Sequence, residues 1–141
     1  MMIVDGFMSG LLADLERDEG KRNKPYLDTE GHLTIGIGRN LDALGVSDDE
    51  IELMLVNDLQ WVVHALDSNL PWWRDMPESW QRGLANMCFN LGYPRLSKFK
   101  KMLAALEAGD GEEAAVQALD SRWAKQVGAR AERIAELFRS G

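Results

Sequence analysis

The 141-residue chain holds one cysteine, Cys88, and two histidines, His32 and His64. A lone thiol excludes an intrachain disulfide and a cysteine-built metal site. The histidines lie far apart and no HExxH run occurs, so the sequence offers no catalytic zinc site and no cofactor is expected. Apolar runs reach only a few residues, too few to cross a membrane, so no membrane anchor is expected. The opening MMIVDGFMSGLLADLERDEG carries Asp5 early and has no basic segment ahead of its apolar residues, so no secretory leader is expected. No low-complexity linker or internal repeat appears, and one domain over 1–141 is predicted. Positive charge is also short, with 16 Lys and Arg against 23 Asp and Glu. The deficit is uneven. Residues 1–70 hold 14 acidic and 5 basic groups, residues 71–141 hold 9 and 11. A chain of net charge −7 lacks the positive surface that phosphate attraction requires, so no nucleic-acid partner is expected. The densest basic cluster, Arg95, Lys98, Lys100 and Lys101, reads as a solvated helix face.

What remains is an ordinary globular composition, 45% hydrophobic, in a chain long enough to bury a core. Phe7, Met8, Leu11, Leu12 and Leu15 recur at helical spacing and Gly20 stands just beyond, which predicts a first helix over 6–19. PYLD and HLTIGIG flank TEG and read as a β-hairpin, within a β-containing lobe over about 20–46. In the second strand Leu33, Ile35 and Ile37 share one face, while Thr34, Gly36 and Gly38 share the other. Those small residues would leave the second face open to a ligand; a bulge or a close helix contact would explain the glycines equally well. SDDE at 47–50 is a capping box that opens a connecting helix over about 47–67, with Ile51, Leu55, Leu59, Val62 and Leu66 as its stripe.

After Pro71 a helical lobe is predicted over about 71–141. One helix buries Trp80, Leu84, Met87 and Cys88 and stops at Gly92; the next carries Leu96, Phe99, Met102, Leu103 and Leu106 up to Gly109. Asp110 with Glu113 forms a second capping box, leading through Ala114, Ala118 and Leu119 towards Trp123. A last helix over about 129–139 packs Ile134, Leu137 and Phe138. The fold class is therefore α+β and mostly α, with a small N-terminal β-hairpin sheet and a long helix joining two lobes.

Glu19, Asp28 and Thr34 have no packing reason to stand in that order. Glycoside hydrolysis generally uses two carboxyl groups, one protonated to donate to the leaving oxygen and one ionised opposite it. Glu19 ends a helix, where the negative pole of the backbone dipole disfavours a carboxylate. Asp28 stands at a strand-to-turn junction, where hydrogen bonds would keep it ionised. Thr34 would hold a water with its hydroxyl.

The segment LERDEGKRNKPYLDTEGHLTIGIG resembles the active-site segment of the T-even phage lysozymes, glycoside hydrolase family 24, with its E-G, Y-x-D-T-E-G and T-I-G-I-G runs. RGLANMCFNLG resembles that family's A-x-x-N-M-x-F-x-x-G helix, and DGEEAAVQALDSRWAKQVGARAERIAELFRSG resembles its C-terminal segment. The likeness covers nearly the whole chain. It implies a two-lobed lysozyme-like fold and an inverting muramidase that cleaves the β-1,4 bond between N-acetylmuramic acid and N-acetylglucosamine in peptidoglycan. By this resemblance Glu19 is the general acid, Asp28 the second carboxylate, acting on a water or on developing charge, and Thr34 helps place that water. Phe89 lines the cleft, Asn90 and Gln117 contact sugar, and Arg130 pairs with Glu19. Asn90 stands where the family has Gln and Gln117 where it has Asn, so reach differs at both. The stretch RNLDALGV is shorter than its T-even counterpart, and Met102 replaces a Ser.

The partner expected is the peptidoglycan glycan strand, met by a monomeric endolysin. It would accumulate in the host bacterial cytoplasm and act in the periplasm, at the wall, once a separate holin-like protein permeabilises the membrane. The rival readings are a tail-associated phage lysozyme and a non-catalytic peptidoglycan-binding module. Retention of Glu19, Asp28 and Thr34 together speaks against the last.

Overall fold

The computed structural model describes residues 5–141; residues 1–4, part of the opening stretch read above for a leader, lie outside the described residues. The chain divides after Glu52 into two compact units.

The first unit opens with α1, Gly6–Glu19. Asp5 caps it by accepting from the Met8 N–H at 2.8 Å, which satisfies one of the orphan donors of the first turn. Gly20, at φ +78°, stops it and returns its N–H to the Glu16 carbonyl. The apolar stripe is present, but no residue of α1 is buried. Three antiparallel strands follow in the order β1-β2-β3: β1 Arg22–Leu27, β2 Leu33–Gly36 and β3 Arg39–Asn40. Tyr26 faces Thr34 across β1 and β2, and Thr34 faces Asn40 across β2 and β3. A register irregularity lies between Arg22 and Tyr26. The predicted hairpin is therefore two strands of a three-stranded sheet, whose two-residue third strand is too short to show any alternation. Asn40 then caps a single turn, α2, Leu41–Leu44, by accepting from the Ala43 N–H at 3.0 Å.

The capping box forms at the start of α3, Asp48–Asn69. The Ser47 N–H donates to Glu50 Oε1 at 2.7 Å and the Glu50 N–H donates back to Ser47 Oγ at 3.2 Å. Glu50 does more than cap. Both its oxygens accept from Arg39, at 2.8 and 2.7 Å, which ties β3 to the first turn of α3. The α3 stripe is only partly used, since Val62 and Leu66 alone among its residues are buried.

The second unit holds the core. Asp67 receives Trp73 Nε1–H at 2.7 Å and a two-point contact from Arg74, which closes the turn after α3. Helix α4 spans Glu78–Leu91, and α9, Ala129–Arg139, packs on it and on α7, Gly111–Leu119. Leu84, Met87, Ile134 and Phe138 are fully buried between them. Gly83 allows a close approach of α9 to α4: a Cβ there would lie 2.8 Å from Phe138 Cε1. Two predicted helices are each broken in two. The segment leading to Gly109 is α5, Tyr93–Leu96, and α6, Lys100–Glu107, parted at Phe99, whose ψ of +58° is not helical. The segment after Asp110 is α7 and α8, Arg122–Val127, parted at Asp120 and at Ser121, which is extended and caps α8. In both cases apolar residues continue at helical spacing through the break, so periodicity alone reads one helix.

Candidate functional site

Three of the expected site residues belong to the first unit. Asp28 follows directly on β1, and its Oδ1 accepts two backbone N–H bonds, from Glu30 at 2.9 Å and His32 at 2.8 Å. Its own N–H donates to the His32 carbonyl at 2.9 Å, closing the turn around Gly31. His32 Nδ1 stands 3.4 Å from Asp28 Oδ2. The His32 backbone N–H, above all, holds the Asp28 carboxyl below the ordinary carboxylate range; partial desolvation opposes it and the Glu30 N–H assists. Donors aimed at an ionised oxygen stabilise the charged form. Asp28 is therefore kept as a carboxylate by the turn itself, as its position at the junction suggested.

Glu19 is the last residue of α1, and its side chain lies against the backbone at Gly38. A Cβ at that position would stand 2.8 Å from Glu19 Oε2, 3.0 Å from Cδ and 3.2 Å from Cγ. Gly38 also has φ +72°, a region L side chains rarely adopt. The close-contact explanation of this glycine is thus the one realised, and the group it admits is the Glu19 carboxylate. The neighbouring Asp18 is held by Arg17, Nε to Oδ1 at 3.0 Å.

Thr34 corrects the expectation of an open face. It is only 4% exposed, and it sits on the central strand with Tyr26 opposite on one side and Asn40 on the other. Its hydroxyl donates to the His32 carbonyl at 2.9 Å, leaving the oxygen's lone pairs as acceptors. The hydroxyl proton is thus committed to the turn that also holds Asp28.

The other four belong to the second unit. Phe89, on α4, is 44% exposed and lines a pocket with Asp58, Trp61 and Tyr93. Asn90 Oδ1 accepts from Trp123 Nε1–H at 2.7 Å, so its amide NH2 is the part left to donate elsewhere. Gln117 uses its Nε2 on Glu113 at 2.8 Å, which leaves its carbonyl to accept. Arg130 Nε donates to Asn86 Oδ1 at 2.9 Å. Sequence reasoning had no role for His32, Trp123 or Asn86, each of which fixes one of the expected residues. The basic cluster also departs from expectation. Its side chains are exposed, but they follow no single helix face: they run from α5 into α6 and line a pocket with Phe99, Gln117 and Trp123.

Among the described residues, no helix is long and apolar enough to cross a membrane. Residues 16–139 match the family described as Phage lysozyme. The pre-baseplate central spike protein Gp5 of Enterobacteria phage T4 is 32% identical over 155 residues, which takes in 90% of this chain but only 27% of that protein. Probable T4-type lysozyme 2 of Dictyostelium discoideum is 28% identical over 163 residues, covering 95% of this chain and 96% of that one. Probable T4-type lysozyme 1 of the same organism is 26% identical over 156 residues, covering 90% and 92%.

Proposed function

Since the chain belongs to the phage lysozyme family, we propose that it is an inverting muramidase that cleaves the β-1,4 bond between N-acetylmuramic acid and N-acetylglucosamine in bacterial peptidoglycan. The observation that carries this reading is the pair of carboxyl groups in the first unit. Glu19 lies against Gly38, and Asp28 is fixed as a carboxylate by two backbone donors. Glu19, protonated, gives its proton to the glycosidic oxygen as the C1–O bond breaks. Water adds to C1 from the opposite face and releases a proton to Asp28, which until then steadies the positive charge on the sugar ring. Inversion needs room for that water, roughly 6.5–9.5 Å between the carboxyl groups. Thr34, fixed by its bond to the His32 carbonyl, offers lone pairs to the water. Phe89, Asn90 and Gln117 serve as sugar contacts.

In this reading the protein is a monomeric endolysin. It is made in the host cytoplasm and reaches the wall after a separate membrane-permeabilising protein acts. The 32% identity to the phage T4 central spike protein favours a second role, a lysozyme carried on the phage tail. Both roles use the same chemistry. The experiment is Glu19→Gln assayed on purified peptidoglycan, with urea unfolding alongside. Removing a general acid is expected to lower the rate by about 10²–10⁴-fold, while the unfolding midpoint stays level or rises. A variant that keeps activity within a few-fold of the wild type refutes the assignment, and an inactive wild-type protein supports the non-catalytic binding module instead.

A further inference from the structure

The chain has five tryptophans. Trp73, Trp80 and Trp123 are buried and Trp72 packs half-buried against the same core, whereas Trp61 is 74% exposed. Packing gives no reason for an indole at that position. Val62 and Leu66 mark the buried face of α3, and Trp61 stands off it, in line with Asp58 three residues before and Ala65 four residues after. Helix propensity gives none either, since tryptophan is a middling helix former. Yet Trp61 is not isolated. With Phe89 and Tyr93 it lines a groove of about 310 Å³, bordered by Asp58 and underlain by the buried Val62 and Cys88. Gly92, at the turn from α4 into α5, lines the groove without a side chain to fill it. Three aromatic rings, two of them well exposed, have been gathered on a surface where each costs hydration.

The lining narrows the ligand. It contains no lysine or arginine, so nothing there answers a carboxylate or a phosphate. Asp58 makes no ion pair among the described residues and repels either group. A wholly apolar ligand would leave that carboxylate without a partner. A sugar ring suits both parts of the groove: its C–H faces lie on aromatic rings, and its edge hydroxyls donate to a carboxylate, which only accepts. The groove also continues the surface already given to glycan, because Phe89 belongs to both. We propose that it is an added sugar-binding subsite, in which Trp61 stacks on an uncharged N-acetylated sugar ring. This rests on the proposed muramidase activity: the ring is an N-acetylglucosamine of the glycan strand, held alongside the stretch that Phe89 contacts, and Trp61 sets how firmly the strand is gripped.

The test titrates a tetramer of N-acetylglucosamine, and separately choline, into wild type, Trp61→Ala and Trp61→Phe by calorimetry. KM and kcat of each protein are measured on glycan strands stripped of their peptides. Trp61 is exposed, so circular dichroism should show all three proteins folded. Truncating a tryptophan that anchors a binding surface costs on the order of tenfold. Trp61→Ala should therefore bind the tetramer about tenfold more weakly and raise KM by a similar factor, with a smaller effect on kcat. Trp61→Phe keeps an aromatic face and should hold both within a few-fold of wild type. Equal tetramer affinity in wild type and Trp61→Ala overturns the proposal. So does choline binding without tetramer binding, which would make the groove a cation cage. Self-association that sedimentation detects in wild type and not in Trp61→Ala, without tetramer binding, would assign the groove to a second copy of the chain and overturn it too. If wild type leaves peptidoglycan uncleaved, the muramidase reading fails, while the tetramer titration still decides what the groove holds.

Discussion

Gly36 and Gly38 offer a matched pair of substitutions that separates backbone strain from chemistry. Both glycines have positive φ, +70° and +72°, so replacing either with alanine should cost about 1–2 kcal/mol in left-handed strain. Their surroundings differ. A Cβ at Gly36 meets nothing within 4 Å, whereas one at Gly38 meets Glu19 Oε2 at 2.8 Å. Ordinary contact begins at 3.4 Å, so the carboxylate must retreat by the difference, about 0.6 Å, or turn to another rotamer. The end of a flexible glutamate moves cheaply, so the clash adds little to the loss of stability. The chemistry is less tolerant: misplacing a reacting group by about 1 Å can cost on the order of 10²-fold. Gly38→Ala should therefore lose roughly 10–100-fold in kcat on purified peptidoglycan, while Gly36→Ala stays within a few-fold. Both should show similar shifts in urea midpoint. The assay is reducing-end release from purified walls at a temperature where circular dichroism shows both variants folded. A folded Gly38→Ala protein with near-normal kcat would refute the claim that Gly38 exists to admit Glu19. Equal activity losses in the two variants would refute it as well.

Acid should weaken each unit through a different carboxylate. Arg39, with the Ser47 N–H assisting, holds Glu50 down to about 2 from an ordinary 4.5; Arg74, with Trp73, holds Asp67 down to about 2 from 3.8. A carboxyl whose folded pKa is depressed stabilises above its unfolded pKa and loses that contribution as pH falls towards the folded one. Urea midpoints should thus decline between about pH 5 and 2, and Arg39→Met and Arg74→Met should each flatten the decline; a slope unchanged in both variants refutes these assignments. The two biological roles predict different locations. An endolysin should be absent from purified virions and its deletion should delay host lysis, whereas finding the protein in particles by mass spectrometry would place it on the tail.

Much of this protein was legible in the sequence because the physics involved is local. Gly20 ends α1 and Ser47 with Glu50 opens α3 through contacts spanning three or four residues. Asp28 could be read as ionised because the donors that hold it, Glu30 and His32, follow within the same turn. The candidate catalytic residues were found from their order and from family likeness, which needs no coordinates. Other features rest on contacts between distant positions. Thr34 was expected on an open face, yet it is buried, on a strand flanked by a two-residue neighbour that no pattern could show. The breaks at Phe99 and Asp120 fall inside unbroken apolar periodicity, so only the packed unit chooses them. Gly38 carried no sign of its neighbour, because the group pressed against it comes from the end of α1, nineteen positions earlier. The lysines at 98–101 looked like a solvated face, since residues 117–126, which complete their pocket, are remote in the chain. Short-range hydrogen bonding and hydrophobic spacing are written along the sequence and fixed the elements, whereas burial, close approach and the convergence of charge depend on which elements pack together, and only the tertiary structure decided those.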